Sequence, residues 1–580
     1  MKKLVFAWLS ILGILFYLIP VAVAAPTNTT RYNDWNFSQV WKTTDKPVKE
    51  IPGLGRGYIW GPPVSDSESI TVEYYNGFAR KIQYFDKARM EVGNFNAKPS
   101  DPYKVTTGLL VKELVTGQRQ DGDNTFTPLP PSNVQVAGDP NSEGANSIAP
   151  TYSSFRNVIT FNGENTTPDY SGKPIAQKIE RDGKVTEIIP HEQRYFSQYD
   201  SVTQHNVADV FASFEDIKGK IWNGKSFEQA NVMSPNPVYV LGRPVTEAYW
   251  TRVVTGGAEK DVLVQLFERR VLSYTPSNPD GFKVEMGNVG QHYYYWRYVV
   301  NKNAPAPAHA QLGAFTTTPV EFTGKGKVQD VATNSRILNK VVNYRLYLPP
   351  DYDKNKNVKY PTLYMLHGRG GSYQMWFNLG LVNAADDLIN SGKIPPMIII
   401  MPDGGELGYW MDQANGGPRW ADFVAIELVG QIDSNYRTLP ERAERAIGGV
   451  SMGGHGALQI GFNNPSVFSI IGAHSPALRT KQQAFDFFGD QDYYATVDPV
   501  SLARSYDVSS FKIWIDIGTE DADWLPRDRE LHQLLDDENI PHSYHEWSGG
   551  HTAEYWNSHV KDYMLFYGDA FNSQSNYKIS

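Results

Sequence analysis

The sequence predicts an α/β fold for its second half, a mostly parallel sheet with helices on both faces, preceded by a β-rich module with a diverged internal repeat. Three observations predict this. First, continuous apolar runs ("YPTLYMLHG", "MIIIMPDG", "RAIGGVS", "SIIGAHS", "KIWIDIG") alternate with helical stretches such as "WADFVAIELVGQIDSNY", "GHGALQIGFNN", "RDRELHQLLDDEN" and "AEYWNSHVKDYMLFYGDAF". Strands that are apolar throughout are buried on both faces, as βαβ units require. Second, "NKNAPAPAHAQLGAFTTTP" is too poor in packing side chains to form a core and reads as a semi-rigid linker over 303–315. It divides a module at 26–302 from the α/β domain at 316–575. Third, the module is rich in Tyr, Val, Asn and Pro with frequent turns, a composition that favours strands.

The module holds the repeat. "GYIWGPPVSD…YNGFARKIQYFDKARMEVGN" (Gly57 to Asn94) resembles "VYVLGRPVTE…LVQLFERRVLSYTPSNPDGFKVEMGN" (Val238 to Asn288). Each has an aromatic-flanked Gly-x-Pro, a strand-like run, Phe with basic residues, and Glu-x-Gly-Asn. A structural unit was therefore duplicated. The blocks Arg80–Arg89 and Arg269–Arg270 are expected to be solvated strand faces.

The bulk properties exclude some functions. A net charge of −9 leaves no basic excess to neutralise phosphates, so no nucleic-acid partner is expected. The chain has no cysteine, which removes disulfides, thiol nucleophiles and thiolate metal sites. Lys2 and Lys3 precede a long apolar run ending in Ala22-Val23-Ala24. Residues 1–24 are thus expected to be a signal peptide, the remainder being secreted or held at the cell surface. An uncleaved membrane anchor is the competing expectation.

Chemistry in a parallel sheet collects at the carboxyl ends of its strands. Gly449-Val450-Ser451-Met452-Gly453 fits G-x-S-x-G with a strand before it and a helix after it, the context of a nucleophile elbow. Ser451 needs a base, and in enzymes built around such an elbow the chain order is serine, acid, histidine. Of the seven later histidines, His551 follows a strand-like run and a Ser-Gly-Gly turn and precedes a helix. His542 and His545 fall on the strand, and His559 falls inside the helix. Asp521, in the turn after "KIWIDIG", is the acid, with Glu520 and Asp523 as alternatives. The oxyanion donors are the backbone amides of Met452 and, from "YMLHGRGGSYQMW", of Arg369, with Gly370 next. The His367 side chain is expected to brace that loop.

The blocks "LHGRGG", "MPDGG", "GGVSMGGHGA", "GTED" and "GGHTAEYW", in this order, resemble the esterase D/feruloyl esterase/antigen 85 group of α/β-hydrolases over about Val328 to Phe571. The resemblance implies an α/β-hydrolase with the triad Ser451–Asp521–His551, oxyanion amides at Arg369 and Met452, and no cofactor or metal. It implies a serine carboxylesterase acting on a small-molecule or polysaccharide ester, feruloyl or acetyl esters of carbohydrate among them. Acyl transfer to a carbohydrate, thioester hydrolysis of the S-formylglutathione type and a non-catalytic surface protein stay open. Trp376, Trp410 and Trp420 are expected to line the substrate site, since aromatic walls suit sugars and aryl acids. Arg419 is read as a surface residue, and the N-terminal module as a glycan or cell-wall contact.

Overall fold

A computed structural model describes residues 31–574 apart from 65–71, 76–77, 96, 99–100, 123–124, 141–143, 161–162 and 305–314. The expected signal peptide and most of the expected linker lie outside the described residues. Among those described, no helix is long and apolar enough to cross a membrane.

The second half is built on nine strands: β1 Phe315–Val320, β2 Lys327–Ser335, β3 Lys340–Leu348, β4 Thr362–Leu366, β5 Ile398–Pro402, β6 Arg445–Val450, β7 Ile470–His474, β8 Lys512–Gly518 and β9 His542–Trp547. Their order across the sheet is β1-β2-β3-β5-β4-β6-β7-β8-β9. From β5 to β9 every pairing is parallel, whereas β1, β2, β3 and β5 pair antiparallel. The parallel strands β4 to β8 are the continuous apolar runs of the sequence, whereas the parallel edge strand β9 is polar and half-buried. β2 mixes polar with apolar residues along its length, and Lys340, Asn343 and Arg345 interrupt the apolar residues of β3, so a search for unbroken apolar runs passes over both.

Four helices position the chemistry: α1 Leu381–Asn390, α2 Met452–Asn463, α3 Leu525–Asp537 and α4 Ala553–Gln574. Alternate side chains of each strand serve opposite faces. Leu363 and Met365 of β4 join Leu381, Val382, Tyr563 and Tyr567 of α1 and α4 in one buried cluster. Tyr364 and Leu366 join Leu458 of α2 and Leu531 of α3 in another. β4 lies between β5 and β6, so successive connections leave it in opposite directions and open a crevice at the strand ends.

In the first half, a four-stranded and a six-stranded sheet accompany the helix Trp35–Glu50. The two similar stretches share one turn, bond for bond. Val64 N–H donates to Tyr84 O, Asp86 to Pro62 and Lys87 to Trp60; the counterparts are Val245 to Leu266, Glu268 to Arg243 and Arg269 to Leu241. Gly61 and Gly242 stand at φ of 76° and 78°, where a side chain would be strained. The terminal motif pairs differently from the sequence reading. Gly287 donates to Val271, and its counterpart is Gly108, donating to Arg89, rather than Gly93 of the first Glu-x-Gly-Asn.

The basic blocks are not wholly solvated faces. Arg270 is 0% exposed, with its guanidinium 5.1 Å from the centre of the Trp60 ring, and Arg89 is buried between Glu73 and Glu91. Arg419 is largely covered, its side chain 12% exposed, because the two halves meet around it. Its guanidinium pairs with Asp422, with Asp34 at 3.0 Å and with Asp412 at 3.4 Å. Lys81 reaches Asp422 at 2.9 Å and Asp34 at 3.7 Å. Burying charge is tolerable only with such pairing.

Candidate active site

Ser451 joins β6 to α2 at φ 57° and ψ −118°, outside the ordinary basins for a side-chain-bearing residue. The turn is held by close packing. A Cβ on Gly449 would stand 2.2 Å from Gly453 O, and one on Gly453 would stand 2.3 Å from Leu366 O. Only glycine fits at either place. The strained backbone projects Ser451 above the strand ends, at the positive N-terminal end of α2.

His551 Nε2 lies 2.7 Å from Ser451 Oγ, and His551 Nδ1 lies 2.6 Å from Asp521 Oδ2. Asp521 is acceptor-only when ionised, so Nδ1 carries the proton and Nε2 accepts from the serine hydroxyl. Asp521 sits in the turn after β8, its N–H bonded to Gly518 O and its carbonyl accepting from Leu525 at the start of α3. The acid and histidine loops are laced together, Thr519 donating to Trp547 O and Glu520 to Gly549 O. The alternatives Glu520 and Asp523 are exposed.

The oxyanion candidates flank the serine. A Cβ on Gly368 would come 3.3 Å from the Cβ of Ser451, so the Arg369 loop passes directly beside the nucleophile. Among the described residues, neither the Arg369 nor the Met452 backbone N–H has an acceptor, whereas Gly370 donates to Glu406 O. Gly370 is thereby removed as a donor. His367 braces the loop from within, Nε2 accepting from Gly404 N–H at 2.9 Å and Nδ1 facing Gly368 O at 2.8 Å.

The expected aromatic walls are corrected. Trp376, Trp410 and Trp420 are 1%, 0% and 4% exposed. Trp376 Nε1 donates to Leu366 O and Trp410 Nε1 to His367 O, so both rings are wedged under the loops they follow. They shape the loops and do not stack on substrate. The half-buried ring beside the base is Trp524, 6.4 Å from the His551 ring and 4.9 Å from the Arg479 guanidinium. Trp556 lies edge-on to His551 at 5.1 Å and is buried.

Two buried features escaped the sequence reading. His474, at the end of β7, directs Nδ1 at Asp516 Oδ1 at 2.7 Å and Nε2 at Tyr567 Oη at 3.0 Å. Asp516 also accepts from Trp514, Tyr555 and Tyr563. Asp528 on α3 is fully buried with neither carboxylate oxygen hydrogen-bonded. Burial, then the neighbouring Asp521 and Asp516, push it well above the usual carboxylate range. An Asp in the first turn of an amphipathic helix gives no sequence sign of this.

The Esterase family profile matches residues 335–567, the segment that carries this geometry. The second half is an Esterase-family domain. Esterase Rv1288 of Mycobacterium tuberculosis is 31% identical over 241 residues, 35% of this chain and 51% of the relative. The chain thus spans about half the length of that relative. An acetyl esterase of Caldicellulosiruptor saccharolyticus is 26% identical over 256 residues, 39% of this chain and 92% of its own. Among solved structures, a ferulic acid esterase is 27% identical, covers 42% of this chain and 99% of its own, and has a TM-score of 0.39. The Esterase-family domain is an α/β-hydrolase, as its own strand order and elbow show. A cavity of about 1010 Å³ lies where this domain meets the N-terminal half, lined by Asp34, Lys81, Asp412 and Arg419 among others, and no triad residue borders it.

Proposed function

We propose that the chain is an exported serine carboxylesterase that hydrolyses a small ester, with feruloyl or acetyl esters of carbohydrate as its substrate class. The observation that carries the reading is the Ser451–His551–Asp521 relay at 2.7 and 2.6 Å beside two unengaged amides. Membership of the second half in the Esterase family supports the reaction class. The acetyl esterase and ferulic acid esterase relatives support the acyl range. The apolar run before Ala22-Val23-Ala24 supports export. The N-terminal half is proposed as the part that contacts glycan or cell wall.

In the mechanism, Ser451 Oγ attacks the ester carbonyl carbon while its proton passes to His551 Nε2, and Asp521 stabilises the imidazolium. The Arg369 and Met452 amides hold the oxyanion. Collapse breaks the bond to the leaving alcohol, which takes the proton from His551. Water then gives a proton to the same nitrogen, attacks the acyl-serine and frees the acid as Ser451 recovers its hydrogen. The test is a hydrolysis screen over feruloyl, acetyl, formyl-thiol and longer acyl esters, with labelling by a fluorophosphonate. Turnover of feruloyl or acetyl esters with label on Ser451 supports the reading. Labelling elsewhere, or none, overturns it.

A further inference from the structure

We propose that His532, Asp536 and His542 form a site for a divalent transition-metal ion of the Zn²⁺ type, tying α3 to β9 below the loops that carry the acid and the base. Among the described residues, these three bring one ligand atom each within 4.8 Å of one another. His532 and Asp536 are four apart on α3 and so share one face of the helix. His542 opens β9, the edge strand of the sheet.

The imidazoles are prepared for it. The His542 side chain is 3% exposed, and its Nδ1 lies 2.9 Å from Ile540 O. A backbone carbonyl cannot donate, so Nδ1 carries the proton and the Nε2 lone pair is left to point at its neighbour. This is the arrangement by which metal-binding histidines are commonly oriented, one nitrogen donating to a carbonyl and the other ligating. His532 Nδ1 faces that lone pair at 2.8 Å. The His532 ring is fixed by stacking on Tyr544, centroids 4.0 Å apart and planes 6° apart.

Asp536 supplies the charge. One carboxylate oxygen lies 3.9 Å from the ligating His542 Nε2, and the other lies 3.5 Å from His532 Nε2, the ring nitrogen not turned to His542. Two nitrogens on one tetrahedral Zn²⁺ stand about 3.3 Å apart, so the rings need to separate by about 0.5 Å and the carboxylate to swing inward. Asp536 is 54% exposed and free to make that swing. Two imidazoles and one carboxylate suit Zn²⁺, Co²⁺ or Ni²⁺ better than Ca²⁺ or Mg²⁺, which take oxygen ligands. The competing arrangement is a hydrogen bond from His532 Nδ1–H to His542 Nε2; ligation moves that proton to His532 Nε2, so that Nδ1 offers its lone pair to the metal.

The position gives the site its consequence. α3 begins four residues after Asp521, and β9 ends four residues before His551. A metal clip here stiffens the scaffold of both loops without touching the reacting atoms. It lies outside the hydrolysis chemistry, for which the sequence assigns no metal.

The experiment uses the full chain stripped with a chelator and desalted. Titration with ZnCl₂ by calorimetry, and with CoCl₂ by visible absorption, is expected to show one ion per chain and a Co²⁺ ligand-field band of low-symmetry tetrahedral type, with a raised Tm. Asp536→Asn, at an exposed position, is expected to weaken Zn²⁺ binding by about tenfold or more. His542→Ala is expected to abolish the band, while ester turnover under saturating substrate stays unchanged in both variants. Absence of uptake by the parent chain, or uptake and band undiminished in Asp536→Asn and in folded His542→Ala, overturns the proposal. Metal binding and esterase activity are read separately, so failure of one is not failure of the other.

Discussion

The backbone N–H of Ser451 donates to the carbonyl of His474 at 2.9 Å, and the carbonyl of Ser451 accepts from Ala477. The strained elbow is therefore anchored to the end of β7 on both sides. His474 is itself fully buried and stacked on Tyr563 with centroids 3.6 Å apart. Its ring and those of Trp514, Tyr555 and Tyr563 all converge on Asp516. A carboxylate taking four donors in the interior forms a rigid floor under the nucleophile.

Asp516→Ala is expected to destabilise the chain by about 3–5 kcal/mol, because it leaves several buried donors without an acceptor. Tyr567→Phe removes one hydrogen bond to His474 and is expected to cost about 1 kcal/mol with kcat unchanged. Urea unfolding measures both. Equal costs for the two variants contradict a floor centred on Asp516.

Ser451→Ala is expected to lower kcat by about 10⁴-fold or more with Tm preserved. Asp521→Asn keeps the shape but places an amide where an acceptor must select the Nδ1–H tautomer, so a loss of about 10⁴-fold is expected. Glu520→Gln and Asp523→Asn alter exposed side chains and are expected to change kcat by about twofold at most. p-Nitrophenyl acetate hydrolysis ranks all four, and a larger loss in Glu520→Gln than in Asp521→Asn would falsify the choice of acid.

The elbow, the histidine loop and the five buried parallel strands were legible because their physics is local. A glycine-flanked serine between strand and helix, or an unbroken apolar run, needs no knowledge of distant residues. Trp410 was misjudged for the opposite reason. Its loop position suits a binding wall, but only the fold reveals that His367 O takes its indole N–H. Arg419, Lys81 and Arg270 look like solvated charge until the partners Asp34 and Asp422, or the ring of Trp60, arrive from hundreds of residues away. Asp516 reads as an ordinary strand residue, since its four donors come from three elements.

Gly453→Ala is expected to cost about 3 kcal/mol or more, because the added methyl meets Leu366 O at 2.3 Å and His367 O at 2.7 Å, both rigid backbone atoms. Gly392→Ala is the control. Its φ of 69° carries strain, but nothing lies within 4 Å of the new Cβ, so a smaller cost of about 1 kcal/mol is expected. Thermal unfolding separates steric overlap from φ strain, and equal losses at the two positions contradict the packing account of the elbow.

The contact between the two halves carries a pH dependence. Among the described residues, Asp34, Asp412 and Asp422 form ion pairs with two cations, Lys81 and Arg419, while the nearby Lys104 donates to Ala97 O, so the cluster holds more carboxylates than ion-paired cations. Burial, then the charge of Asp422, push Asp412 up to about 7. The folded-state value lies above the unfolded one, so the folded chain holds more protons between about pH 4 and 7. The stability tied to Asp412 is full below about pH 4 and is lost as pH rises through about 7, at up to about 1.4 kcal/mol per pH unit inside that window. Asp412→Asn does not titrate. Relative to the parent, its Tm is expected to rise from about pH 4 to 7 and to level off above that, and a difference that stays constant over that range places the excess proton elsewhere in the cluster.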